Sequence, residues 1–135
     1  MQEMKPTTQL HMELTALEQL ADVTACLDQH LRQWHVSEER RVDLKLCVME
    51  AVQNALLHGG AAYMAPKAQI VWNCSDEAFR FTVTDNGPGI APERRDSAYQ
   101  ETLKESGRGL LLMRAILDEV YFNEQGNAIT GVLRW

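Results

Sequence analysis

Between Ser37 and the pair Gly59-Gly60 the chain carries an apolar repeat that suits only one kind of secondary structure. Leu44, Val48, Ala51, Val52, Ala55 and Leu56 recur three and four residues apart. At about 100° per residue they fall on one broad arc, which predicts an amphipathic helix with that arc turned to a core. Ser37 offers an N-cap oxygen, although Arg40 stands where a capping box would carry Glu. The Gly pair stops the helix after about His58. Glu50 and Asn54 are four residues apart, so they project side by side from the edge of the apolar arc.

The remaining segments organise around that helix. Residues 9–14 alternate weakly, as a first strand does. From Thr15 to Trp34 the spacing of Leu17, Leu20, Val23, Leu27 and Leu31 predicts another amphipathic helix. Ala68–Cys74 and Phe79–Thr84 read as strands joined by the turn Ser75-Asp76-Glu77. A polar stretch over 91–106 reads as a long loop, a helix follows over Leu110–Glu119, and Val120–Asn123 with Ala128–Trp135 reads as a terminal hairpin. The order β-α-α-β-β-loop-α-β-β predicts an α+β, two-layer sandwich: a mixed or antiparallel sheet with helices on one face. A single domain over 1–135 fits the length.

Charge narrows the partners. Thirteen Lys+Arg against nineteen Asp+Glu give −6, which argues against nucleic acid while leaving room for one basic pocket. No apolar run approaches a membrane span, and Met1–Thr8 lacks an apolar targeting region. Cys26, Cys47 and Cys74 are odd in number, lack CxxC spacing and read as small buried residues of a reduced, cytoplasmic protein. Trp34, Trp72 and Trp135 read as core or interface, Met49 and Met113 as packing, and Glu38–Arg41 as a solvated helix start. His11, His30 and His35 show no metal spacing with the cysteines.

Three short motifs carry the chemistry. Glu50 and Asn54 offer a carboxylate and a neutral oxygen, the donors needed to accept a proton and to orient a hydrated Mg2+. Asp85-Asn86-Gly87-Pro88-Gly89 follows a strand; its glycines permit a tight path beside a flat ligand, and Asp85 can accept from an exocyclic amine. Taken alone such a segment is more often just a turn. Ser106-Gly107-Arg108-Gly109 enters a helix, where free N–H groups favour anions, with Arg108 and Lys104 as nearby cations. It matches neither a Walker loop nor a full GxGxxG.

In this order the three motifs resemble the N, G1 and G2 boxes of the GHKL (Bergerat-fold) ATPases. The likeness runs through Glu50-x-x-x-Asn54-Ala55-x-x-His58-Gly59, Asp85-Asn86-Gly87-Pro88-Gly89-Ile90 and Ser106-Gly107-Arg108-Gly109-Leu110, then Leu117-Asp118-Glu119-Val120. It covers nearly the whole chain and is similar to the small anti-sigma-factor serine kinases of bacterial partner-switching systems, the RsbW and SpoIIAB type. The resemblance implies Asn54 as Mg2+ ligand, Glu50 as the base for the acceptor hydroxyl, and Asp85 as the adenine reader in a pocket shaped by Gly87 and Gly89. It implies Gly107, Arg108, Gly109 and Leu110 at the phosphate-facing end of an ATP lid spanning about 86–106, and Thr130 as an aid to adenine recognition. His58 stands where the family often carries histidine. Gly59-Gly60 before Tyr63 departs from the frequent pattern and bears on helix-end packing.

The resemblance therefore implies an anti-sigma factor and ATP-dependent protein serine kinase. Its cofactors would be ATP and Mg2+, its substrate an anti-sigma-factor antagonist of the STAS type, and its other partner a sigma factor, with room for a homodimer. The alternative is a nucleotide-dependent sigma-factor or regulator-binding module with little kinase activity, which would not need Glu50. A histidine kinase ATP-binding domain is disfavoured, because no helix with a phosphoacceptor His precedes these motifs.

Overall fold

The computed structural model describes residues 8–59, 66–87 and 109–135. Within these, five strands form one sheet, every neighbouring pair antiparallel: β1 (Thr8–Leu14), β2 (Ala68–Cys74), β3 (Ala78–Asp85), β4 (Glu119–Phe122) and β5 (Ala128–Arg134). The spatial order is β1-β2-β3-β5-β4. Three helices, α1 (Leu20–Gln33), α2 (Glu38–Asn54) and α3 (Gly109–Ile116), accompany it. The α+β expectation holds, with a purely antiparallel sheet.

Alternation decides which sheet face is covered. Ala68, Ile70, Trp72 and Cys74 are buried, as are Phe79, Phe81 and Val83, while residues between them are more exposed. The register sets Ile70 opposite Val83, Trp72 opposite Phe81 and Cys74 opposite Phe79, so one face collects the large apolar side chains. Against it lie Val23, Leu27 and Leu31 of α1 and Leu44, Cys47, Val48, Ala51 and Val52 of α2. The buried Trp72 indole N–H is satisfied by His30 Nδ1 at 2.9 Å. Gly131, opposite Phe81, is fixed by packing: a Cβ there would lie 2.6 Å from the Phe81 ring and 2.7 Å from Leu117 Cδ1.

Several boundaries differ from expectation, each for a visible reason. The first helix starts five residues late, because Gln19 Oε1 accepts from the N–H groups of Thr15 (2.7 Å) and Ala16 (3.1 Å) and holds Leu17–Gln19 in a 3-10 turn. At its other end His35 takes a left-handed φ of 57°, letting Val36 N–H return to the Leu31 carbonyl. Ser37 caps α2 as expected, its Oγ accepting from Arg40 N–H at 3.3 Å. Past Asn54 the chain continues as a π-helical turn, Ala55–Gly59.

The third helix ends at Ile116, before the expected Glu119. Asp118 is drawn to β5: its N–H donates to the Val132 carbonyl (2.8 Å) and its carboxylate accepts from Arg134 N–H (2.6 Å), so Glu119 already opens β4. Cys47 and Cys74 are buried, and burial pushes their thiols up to about 12 and about 11; the charges of Asp43 and Glu50 add to the effect at Cys47. Cys26 departs from the expectation and is only half-buried. Trp72 and Met113 are core residues, whereas Trp135 is largely exposed.

Candidate functional site

Glu50 and Asn54 stand half-buried on the flank of α2, as the helical spacing predicted. The first residue of α3 packs directly against them. A Cβ built on Gly109 would lie 2.7 Å from Glu50 Oε2 and 3.4 Å from Asn54 Nδ2, so the missing side chain is what lets the two helices meet here. The first N–H groups of α3 have no acceptor inside their own helix, and its dipole places partial positive charge at this end. A carboxylate, a carboxamide and a positive helix end thus share one place, built from residues more than fifty positions apart in sequence.

Asp85 closes β3 and is half-buried. It lies two and four residues beyond Val83 and Phe81, on the same face, which puts its side chain on the helix-covered side of the sheet. Its Oδ1 accepts from Gly87 N–H at 2.7 Å, and its own N–H donates to the Asn127 carbonyl at 2.8 Å. Burial pushes the Asp85 carboxyl above its ordinary value, against the opposing Gly87 N–H. The π-turn that follows Asn54 packs on β3, so one short stretch connects the Glu50–Asn54 flank to the strand that ends in Asp85.

The other expected site residues fare differently. Leu110 turns its side chain into the core, which leaves only its backbone for a ligand. Gly89, Gly107, Arg108 and Lys104, with most of the expected lid, lie outside the described residues, as does the side chain of His58. Thr130 requires a correction. It pairs with Thr82, and the two hydroxyls bond at 2.8 Å. Thr82 alternates with Phe81 and Val83, so Thr130 faces the side of the sheet away from Asp85. The residue that does share the end of β3 with Asp85 is Asn127, missed from sequence. Its N–H and those of Gly126 and Ala128 all donate to Asn123 Oδ1, and Gly126 has a φ of 79°. A signal existed in Asn123-x-x-Gly126, a turn that fixes where β5 begins and hence its parity.

The sheet and helices define an α+β domain, and comparison with known proteins identifies its kind. Residues 14–133 match the histidine kinase-like ATPase domain, and the chain belongs to that family. It is 29% identical over 119 residues to the anti-sigma F factor of Bacillus subtilis, covering 83% of this chain and 80% of that protein. It is 33% identical over 103 residues to the anti-sigma F factor of Clostridium perfringens, covering 70% and 71%. The anti-sigma F factor of a Geobacillus species is 28% identical over 137 residues, covering 92% and 88%. Among solved structures, the catalytic domain of the histidine kinase ThkA shares the fold, with a TM-score of 0.52, 18% identity and 91% and 94% of the two chains covered. The three-motif resemblance to the GHKL ATPases and the anti-sigma factors is borne out.

Proposed function

We propose that this protein is an anti-sigma factor that is also an ATP-dependent protein serine kinase, acting on a STAS-type antagonist of its own sigma binding. The observation that carries the reading is the approach of Gly109 to Glu50 and Asn54. It brings a proton acceptor, a carboxamide and the N–H end of a helix to one point. Phosphoryl transfer to a hydroxyl asks for those three groups together.

ATP and Mg2+ fit the residues present. The N-terminal N–H groups of α3, beside Asn54, suit phosphate oxygens. One protein oxygen from Asn54 suffices for a cation that takes most of its other ligands from water and phosphate. The partly desolvated Asp85 suits an amine donor that would restore hydrogen bonds to its carboxylate. When bound, Mg-ATP supplies the phosphoryl group and offsets its charge. Asp85 would hold the base, with Gly87 N–H fixing the carboxylate's orientation. Asn54 would hold the metal side, and the first N–H groups of α3 the phosphates. Glu50 would accept the proton of the serine hydroxyl on a carboxylate oxygen.

The test is transfer from radiolabelled ATP, with Mg2+, to a STAS-domain antagonist from the same genome. Wild type should label a serine. Glu50→Gln should bind ATP as well as wild type and transfer roughly 100-fold to 10,000-fold more slowly. If wild type holds its sigma factor yet transfers nothing, the kinase reading fails and a binding module remains.

A further inference from the structure

A solvated helix turns apolar residues inward and polar ones outward, and α2 breaks that rule on its open side. Val42, Leu46 and Met49 follow one another at four and three residues on the side away from the core arc, Gln53 continues the row, and Leu57 of the π-turn extends it. Val42 is 47% exposed, Leu46 40% and Leu57 49%, with Met49 half-buried between them. Each is spared from the core although the helix buries seven other apolar residues of its own and the adjoining π-turn. The two edges of the row are unlike. On one side stand Asp43, Glu50 and Asn54, and on the other Arg41 and Lys45.

The basic edge carries surplus positive charge. Asp28 of α1 receives Arg32, Arg41 and Lys45 at 2.6, 3.3 and 2.9 Å, so three cations share a single carboxylate, with Glu38 further from Arg32. Their hydrogen bonds, Arg32 first and Lys45 next, hold the Asp28 carboxyl well below the usual carboxylate range. Arg41 is also pinned by the Val36 carbonyl at 2.7 Å, which keeps this edge in place. On a chain of net charge −6 this is a local reversal of sign.

A serine can give its proton to Glu50 only from hydrogen-bond distance. A folded protein presenting that serine must therefore cover surface next to Glu50, and the row reaches it at Leu46, one helical turn before, and at the preceding residue Met49. We propose that the row Val42, Leu46, Met49 and Leu57 is the docking surface for the protein whose serine is phosphorylated, a folded partner with an apolar patch edged by acidic side chains that meet Arg41 and Lys45. This rests on the kinase reading above, since it takes Glu50 as the point to which the partner is delivered. Apolar centres of this kind carry most of the affinity of protein interfaces, and the charged rim sets partner and approach.

The experiment uses the full chain with Val42→Glu, Leu46→Glu and the milder Leu46→Asn, each checked for unchanged circular dichroism and Tm. Affinity for a STAS-domain antagonist from the same genome is measured without turnover, in ADP, alongside KM and kcat for its phosphorylation. A fluorescent ATP analogue, the sigma factor and the molar mass in solution are measured in parallel. Antagonist affinity should fall on the order of tenfold or more and KM should rise to match, with kcat and analogue binding held. Wild-type affinity should fall as salt rises, through the basic edge. Unchanged antagonist affinity in both Glu variants overturns the proposal. So does loss of sigma-factor binding alone, or loss of self-association alone, either of which assigns the row to that contact. If wild type binds the antagonist through this row but never labels it, the kinase reading falls and the docking surface stands.

Discussion

Replacing Gly109 by Ala tests the site more sharply than removing any charged group, because the change is one methyl. The added Cβ would sit 2.7 Å from Glu50 Oε2, whereas ordinary contact begins near 3.4 Å, so the carboxylate must retreat by roughly 0.7 Å. The atom in the way is the free end of a flexible side chain, so the fold can yield cheaply. Ala also favours a helix over Gly by up to about 1 kcal/mol, less at a first position. Stability should therefore stay within about 1 kcal/mol of wild type, a few degrees in Tm. Catalysis has no such tolerance, since a misplacement approaching 1 Å can cost on the order of 100-fold. The expected result is a normal melting curve, ATP-analogue affinity changed several-fold at most, and transfer to the antagonist slowed roughly tenfold to 100-fold. Thermal denaturation followed by circular dichroism, analogue titration and radiolabel transfer measure the three. Transfer at the wild-type rate would refute the reasoning, because Glu50 would then act from somewhere other than its place beside Gly109.

Three further outcomes follow from the same geometry. Gly131→Ala puts its methyl into the Phe81 ring and Leu117, which cannot swing clear, so it should cost about 1–3 kcal/mol, read as a clear drop in Tm with little loss of ATP affinity per folded molecule. Asp85→Asn should weaken nucleotide binding at least tenfold while raising stability at neutral pH. The folded carboxyl titrates above its unfolded value, so ionisation costs stability; the gain over wild type should be near zero below about pH 4, grow as pH rises through the folded pKa and then level, and a gain independent of pH in denaturant titrations would contradict it. His35→Gly relieves a left-handed residue at the end of α1 and should stabilise by about 1 kcal/mol, seen as a higher urea midpoint at unchanged slope.

What could be read from the sequence, and what could not, divides along the range of the interactions. The α2 arc, its Ser37 cap and the β2–β3 hairpin depend on neighbours within a few residues, and all appear where the periodicity put them. So do the Glu50–Asn54 pair and Asp85 at a strand end. The end of α3 was misread because Asp118 is held by Val132 and Arg134, partners fourteen and sixteen residues on that helical periodicity cannot see. Thr130 came from the family resemblance alone; the last strand begins at Ala128 as read, and its pairing with Thr82 turns Thr130 to the other face of the sheet. The late start of α1 turned on one side chain, Gln19 folding back on Thr15 and Ala16, which competes with the helix without disturbing its apolar spacing. The positive cluster at Asp28 needed α1 and α2 to be set side by side before Arg41 and Lys45 met it.

β5 follows β4 in sequence yet lies between β3 and β4 in the sheet. During synthesis β1, β2 and β3 can pair in turn, but β4 has no described strand to join until Ala128–Arg134 emerges from the ribosome, and the N–H of Asp85 waits for Asn127. A nascent or prematurely ended chain therefore lacks the inner seam of the sheet, not a dispensable border, along with part of the Asp85 corner. Such fragments would leave the β5-facing backbone edge of β3 unpaired and invite chaperones or proteases. The order of synthesis thus leaves the sheet open beside β3 until β5 has been made.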